Sequence, residues 1–170
     1  VGENLDSPGT TAYFSVSPLG FKAMMLKPGK SAEFIEPISA DLTTYTVYKK
    51  ADKAASLNKF ECSVVDAVNA DVQMGAMLRP NADDATLRTF RLAMSCTGEY
   101  TVYFGGTKAL ALAAINASIT RCNGVFEKDF GVRMQIIANT DLVIYTNAST
   151  DPYSAASGMS SWNSQLQSTL

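Results

Sequence analysis

The sequence predicts an α+β protein with an antiparallel, β-rich N-terminal part and a β-α-β C-terminal part. Short alternating segments, separated by Gly and Pro turns, fill residues 11–50. A polar stretch with Pro and paired Asp follows, and one long helical pattern then lies between two apolar segments. We therefore divide the chain into residues 1–84 and 85–170.

The N-terminal part is predicted to be a four-stranded meander. The strands are expected at residues 11–17, 21–26, 32–38 and 43–50. They carry the β-branched and aromatic residues that suit a half-buried pleated surface. In the first strand Ala12, Phe14 and Val16 alternate and share one face. A generic small β-sheet module fits this pattern equally well.

The C-terminal part is predicted to hold two parallel strands joined by a helix. Strands are expected at residues 87–96 and 132–138, with a short extension at 142–146 and a helix at 107–122. The segment TGEYTVYFGG connects the first strand to the helix. Leu112, Ile115, Ile119 and Cys122 form one buried stripe of this helix. Asn123-Gly124 is a typical helix stop, and the order strand, helix, strand favours a right-handed crossover.

The C-terminal segment is predicted to be a second amphipathic helix. Met159, Trp162, Leu166 and Leu170 recur at helical spacing. Parallel sheets are normally covered on both faces, which two strands and two helices do poorly. We therefore expect the natural polypeptide to continue past Leu170. Coverage of the gap by the N-terminal part is the alternative.

Three cysteines are too few for a disulfide framework, and they are too isolated in the sequence to form a metal site with one another. Cys96 ends the first predicted strand, and Cys122 ends the helix that runs back from it. Their expected separation of roughly 20 Å exceeds the ~7 Å Cα limit of a disulfide. Both are therefore predicted to be separate buried thiols. Cys62, in the stretch KFECSVVDAV, lies in neither regular element.

Composition excludes several function classes. The 170 residues contain no histidine, so this chain cannot form a Ser-His-Asp triad, a Cys-His pair or a histidine zinc site. The net charge of −2 gives no nucleic-acid or anionic-membrane footprint. No apolar run approaches the ~20 residues of a membrane helix. Carboxylate or lysine chemistry stays open, without a specific constellation; Glu99 is expected to order the loop before the helix.

Residues 90–153 resemble the start of the catalytic domain of secreted bacterial reprolysin-like zinc metallopeptidases, within the adamalysin and metzincin group. The resemblance rests on TGEY, GGT, ALAAIN, the segment from Thr120 to Asp129 and YTNASTDPY. The segments SVSPLGFKAMML, FIEP and YTVYKK resemble the pro-segment of the same family. The resemblance thus implies a pro-segment at 1–84 and the first β-α-β portion of a metzincin-like domain at 85–170.

The family's zinc motif, H-E-x-x-H-x-x-G-x-x-H, is missing from the sequence. The resemblance therefore implies zinc and peptide-bond hydrolysis for the full-length protein, and no catalytic residue or cofactor in this chain. It also implies secretion or a cell-envelope location, with protein or peptide substrates and the remainder of the catalytic domain as partners. Activation cleavage is expected near Arg79 or Arg88.

Cys62 gains a role through the resemblance. Many metzincin pro-segments keep the enzyme latent with a cysteine thiolate at the open position of the zinc. Cys62 lies shortly before the boundary and is the candidate for this ligand, the zinc itself being held by residues outside this chain. The alternative is a structural thiol between Phe60 and Val64.

Two other functions compete with the peptidase interpretation. One is a complete, non-catalytic binding or protease-inhibitory module. The other is an enzyme that uses carboxylates. A truncated peptidase should expose apolar sheet surface and be marginally stable or associated, whereas a complete module should be monomeric and melt cooperatively.

Overall fold

The computed structural model describes residues 1–52, 85–153 and 159–169. In chain order, the elements are β1 (Gly2–Glu3), β2 (Thr11–Ser17), β3 (Gly20–Leu26), β4 (Glu33–Pro37), β5 (Tyr45–Lys49), β6 (Arg88–Leu92), α1 (Gly98–Tyr103), α2 (Lys108–Phe130), β7 (Val132–Ile136) and α3 (Met159–Thr169). The strands form a five-stranded and a two-stranded sheet. The predicted α+β class is confirmed.

The N-terminal sheet, β1 to β5, is an antiparallel meander in chain order. The four predicted strands are present, and the short β1 adds a fifth beside β2. Gly20, at φ 91°, begins β3 directly after the turn, and Gly29, at φ 65°, lies in the turn before β4. Both angles are in the region that favours glycine, which explains why these turns were readable in the sequence.

The exposed and buried faces of β2 differ from what its apolar pattern indicates. Ala12, Phe14 and Val16 do share one face, but Phe14 is 45% and Val16 77% exposed. The buried residue of the strand is Tyr13. It lies opposite Met24 of β3, and that face packs on α2. A long aromatic side chain with a polar end can reach a helix and still satisfy its hydroxyl.

The β-α-β arrangement of the C-terminal part is confirmed. β6 and β7 are parallel, in a register that pairs Arg88 with Val132. β6 is shorter than the strand predicted at 87–96, because pairing with β7 ends at Leu92. Cys96 forms only an isolated parallel bridge with Ile144. The strand predicted at 142–146 is likewise wrong. A 3-10 helix, Ala138–Val143, covers its first two residues, and only Ile144 takes part in the isolated bridge.

The long helix does not stop at Asn123-Gly124. α2 continues to Phe130 and ends at Gly131, which takes the left-handed conformation at φ 62°. The Asn123 side chain bonds the backbone of Met134, and Gly124 is buried against the N-terminal sheet. Tertiary contacts therefore hold both residues inside the helix and override their local preference.

Two further expectations are corrected near α2. The predicted connector TGEYTVYFGG contains the helix α1, which Thr97 caps by accepting a hydrogen bond from the Tyr100 N–H. Cys122 is exposed, so the predicted buried stripe holds only Ile115 fully, with Leu112 and Ile119 partly buried. α2 buries alanines instead, at positions 111, 114 and 117.

α2 lies between the two sheets. One side packs on β7, and the other side packs on β2 and β3. Among the described residues, α2 is the helix whose 23 residues have the length and mean hydropathy of a membrane span, contrary to the expectation from the sequence. Arg121 and Glu127 of this helix form ion pairs, and the helix contacts both sheets. α2 thus connects the two parts of the molecule.

Candidate functional site

The predicted zinc-directed ligand, Cys62, lies outside the described residues. Within the part of the chain that the structure describes, no three His, Cys, Asp or Glu side chains are grouped so that they could hold a metal. The sequence also lacks the histidines of the family motif. Residues 1–52, 85–153 and 159–169 thus contain no group of side chains suited to hold a zinc ion.

A turn at residues 147–151, near the end of the C-terminal part, packs against the junction between β6 and α1. The carboxylate of Asp151 accepts a hydrogen bond of 2.7 Å from the Gly98 N–H, at the first turn of α1. A Cβ on Gly98 would collide with the backbone of Asn147 and Ala148. Only glycine allows this close backbone approach, which brings residues 147–151 against the helix.

A small core lies beneath this junction. The Thr101 hydroxyl donates to the Tyr145 carbonyl over 2.5 Å, and the Cys96 Sγ lies 3.6 Å from the same hydroxyl oxygen. Ala111 and Ile115 of α2 and Ile144 are buried in the same core. Cys96 is thus a buried structural thiol, as predicted, whereas Cys122 is exposed on α2. Neither is paired in a disulfide.

A cleft of about 280 Å³ opens where α3 meets the same junction. Its lining residues are Ser95, Cys96, Thr97, Tyr153, Trp162, Asn163 and Leu166. The Tyr153 hydroxyl donates to Ser95 Oγ over 2.5 Å, and Ser95 Oγ donates to the Val143 carbonyl over 2.7 Å. Both hydroxyls therefore take part in a chain of structural hydrogen bonds that ends at the Val143 carbonyl.

The second candidate region is the face of α2 against the N-terminal sheet. Arg121 forms an ion pair with Glu36, and its guanidinium lies 5.4 Å from the centre of the Phe34 ring. The Tyr48 hydroxyl donates to the other Glu36 oxygen over 3.0 Å. Glu127 accepts from Tyr13 over 3.2 Å and from Arg133 over 2.6 Å.

These contacts shift the pKa values of Glu36, Tyr13 and Arg133. Burial opposes the charge on Glu36, but the hydrogen bond and the charge of Arg121 hold the pKa of this carboxyl below its usual range. Burial and the neighbouring Glu127 carboxylate raise the pKa of Tyr13. The hydrogen bond to Glu127 raises the pKa of Arg133. The directions for Glu36 and Tyr13 favour an ionised carboxylate and a neutral phenol, the forms that contact α2 from the N-terminal sheet at neutral pH.

Sequence reasoning found some of these positions and missed others. Glu99, expected to order the loop before the long helix, lies exposed in the first turn of α1. Asp151, which the sequence analysis did not consider as a site residue, has a specific partner in α1, the Gly98 N–H. Arg121 and Glu36 were not singled out, because they are 85 positions apart and no local pattern links them. Gly124 lies one helical turn after Arg121, inside an otherwise strong helical pattern. This glycine was the sequence feature that could have indicated a close contact on this side of the helix.

The comparison with known families identifies the C-terminal part. The family profile described as metallo-peptidase family M12B, reprolysin-like, matches residues 86–170. No curated protein and no solved structure shows a significant match to the chain. The matched region contains β6, α1, α2, β7 and α3, half of the sequence. The chain therefore belongs to the reprolysin-like M12B family of metallopeptidases.

Proposed function

We propose that this chain comprises the pro-segment, residues 1–84, and the N-terminal part of the catalytic domain, residues 85–170, of a secreted or envelope-associated zinc endopeptidase. The observation that carries the proposal is the family match over residues 86–170, which begins at the predicted boundary. The separate antiparallel sheet ahead of the match supports the pro-segment assignment.

In this family, zinc polarises the peptide carbonyl and lowers the pKa of a bound water. We assign the zinc ligands to residues outside this sequence, because it contains no histidine. The contribution of the present residues is a scaffold: the turn at Asp151 fixes α1, and α2 supports β7. This chain alone should therefore neither hydrolyse peptides nor bind zinc tightly. Protein or peptide substrates belong to the full-length enzyme.

The reading frame of the source gene tests this proposal directly. We expect the codons after that of Leu170 to continue into H-E-x-x-H-x-x-G-x-x-H. The full-length product should then hydrolyse an unstructured protein such as casein, and a chelator should abolish this activity. A stop codon directly after Leu170, or a longer frame without the motif, would exclude the peptidase function.

Cys62 is the proposed latency ligand of that full-length enzyme. A thiolate at the open zinc position displaces the water that the reaction needs. Cys62→Ala in the full-length protein should therefore shorten the lag before activity appears, measured with a fluorogenic peptide after purification. Cys122→Ala is the matched control, since this exposed thiol lies on α2. An unchanged lag in Cys62→Ala would contradict the assignment.

A protein-binding or protease-inhibitory module is the second candidate, favoured by the apolar outer face of the N-terminal sheet. Phe14, Val16 and Val47 are exposed there, and exposed apolar patches commonly mark interaction sites. For a complete module we expect a monomer in analytical ultracentrifugation and one cooperative melting transition. Self-association with a broad transition would instead favour the peptidase fragment.

A further inference from the structure

We propose that α2 carries a docking site that retains the N-terminal sheet after the chain between the two parts is cut. The inference rests on the proposed function, in which the N-terminal part is a pro-segment. Cleavage would then be necessary for activation but not sufficient, because the cut pro-segment has to dissociate from α2 as a second step. The retaining contacts are made by the two folded parts themselves.

The first of these contacts is a steric notch at Gly124. A Cβ at this position would lie 3.0 Å from the Tyr13 ring and collide with the terminal methyl of Met24. Both residues are buried on the inner face of the N-terminal sheet. Glycine in the middle of a helix is unfavourable, so its presence here indicates that close approach of the sheet is required.

The second contact is the ion pair between Arg121 and Glu36, which a hydrogen bond and a cation–π contact reinforce. Glu36 of β4 binds Arg121 and also accepts the Tyr48 hydroxyl, so both carboxylate oxygens are used. The Arg121 guanidinium also lies over the Phe34 ring of the same strand. A charge held by a carboxylate and an aromatic face at once fixes the position of the sheet on the helix.

The third contact joins all three layers. Glu127 of α2 accepts one hydrogen bond from Tyr13 of β2 and one from Arg133 of β7. Both oxygens of this carboxylate are therefore shared between the two sheets. Loss of the N-terminal sheet would leave one of them without its donor. The three contacts lie along one side of α2, at positions 121, 124 and 127, one helical turn apart.

None of these contacts depends on the covalent connection. The residues involved fall within 13–48 and 121–133, whereas the chain joins the two parts through residues 53–84. A cut in or beside the connection leaves every named hydrogen bond and packing contact in place. We therefore expect the two pieces to stay associated, with release controlled by the α2 contacts.

A cleavable version of this chain tests the inference. A recognition sequence for a site-specific protease is inserted between Ala85 and Thr86, both of which are exposed. After cleavage, native mass spectrometry and size-exclusion chromatography should show one particle with both pieces in a 1:1 ratio at micromolar concentration. Circular dichroism checks that the uncut chain is folded. If it is, separation of the wild-type pieces after cleavage would overturn the inference.

Gly124→Ala provides the specific variant. Alanine favours the helix more than glycine does, so helix content should hold while the dissociation constant of the cut pieces rises about tenfold or more. Asn116→Ala is the matched control, because Asn116 is exposed on the same helix. Equal retention in both variants would contradict the docking site.

A charge exchange covers the case in which Gly124→Ala does not fold. Arg121→Glu and Glu36→Arg should each weaken retention, and the double variant should recover a large part of it. A double variant no better than the single ones would also overturn the inference. This outcome is independent of the zinc motif, which only the downstream reading frame decides, so the failure of one proposal is distinguishable from the failure of the other.

Discussion

At the scale of single residues, two polar side chains of the described part find partners far away in the sequence. Thr101 is fully buried, and its hydroxyl finds the carbonyl of Tyr145 forty-four positions away. Glu36 finds Arg121 across the boundary between the two parts. An unpaired buried hydroxyl or carboxylate is costly, so these contacts constrain which packing of the two parts is possible.

The pH dependence of stability should report the Glu36 contact. Its pKa in the folded chain lies below the ordinary 4.5, so the contact adds stability that is complete above that value and is lost as the pH falls through the folded-state pKa. Glu36→Gln should therefore lower the free energy of unfolding by about 1 kcal/mol near neutral pH. The difference from wild type should be constant from about pH 6 to 8 and shrink below about pH 4.5.

Urea unfolding of both proteins across this pH range measures the difference. Glu3→Gln, in the exposed strand β1, is the control, and its difference from wild type should stay near zero. A Glu36→Gln difference that grew toward low pH would mean that the folded-state pKa is raised, which contradicts the contact with Arg121.

At the scale of elements, α2 shows what local pattern can and cannot predict. Its start and its helical character follow from Thr107 and the alanine-rich spacing that comes after it. Its end does not, because Asn123 and Gly124 are common helix stops. Both residues instead have partners in other elements, so no window around them contains the deciding information.

Asn123 is the residue through which α2 is fixed to β7. Its side-chain amide donates to the Met134 carbonyl and accepts from the Met134 N–H, each over 2.8 Å. Asn123→Ala should leave both backbone groups unsatisfied and lower the free energy of unfolding by about 1–3 kcal/mol. The better helix propensity of alanine offsets this by only about 0.7 kcal/mol.

Asn116→Ala, an exposed position on the same helix, makes the comparison specific. This variant should gain only the higher helix propensity of alanine, so its free energy of unfolding should equal or slightly exceed that of wild type. Chemical denaturation of the two variants under identical conditions gives both values. Equal stability of Asn123→Ala and Asn116→Ala would show that the Met134 contact contributes nothing.

At the scale of the whole molecule, the sequence predicted the parts better than their contact. The meander of the N-terminal part and the parallel strands of the C-terminal part follow from periodicity and turns. Which face of each strand is buried does not follow, because α2 supplies the covering surface. In β2, the apolar residues Phe14 and Val16 face outward while Tyr13 is buried. The ligand role of Cys62 stays a prediction.

The adjacent methionines of β3 test which face couples the N-terminal sheet to the rest of the molecule. Met24 is 3% exposed and contacts α2 at Gly124, whereas Met25 points to the opposite face and is partly exposed. Met24→Ala should lower the free energy of unfolding by about 2–4 kcal/mol, since it removes a buried side chain from the contact with α2. Met25→Ala should cost clearly less.

Hydrogen exchange followed by mass spectrometry shows how far each change reaches. In Met24→Ala, protection should fall in β2 to β4 and also in the second half of α2, because the helix loses its neighbour on that side. In Met25→Ala, any loss should be confined to the N-terminal sheet. If α2 kept its full protection in Met24→Ala, the two sheets would be energetically independent, and the helix between them would not couple their unfolding.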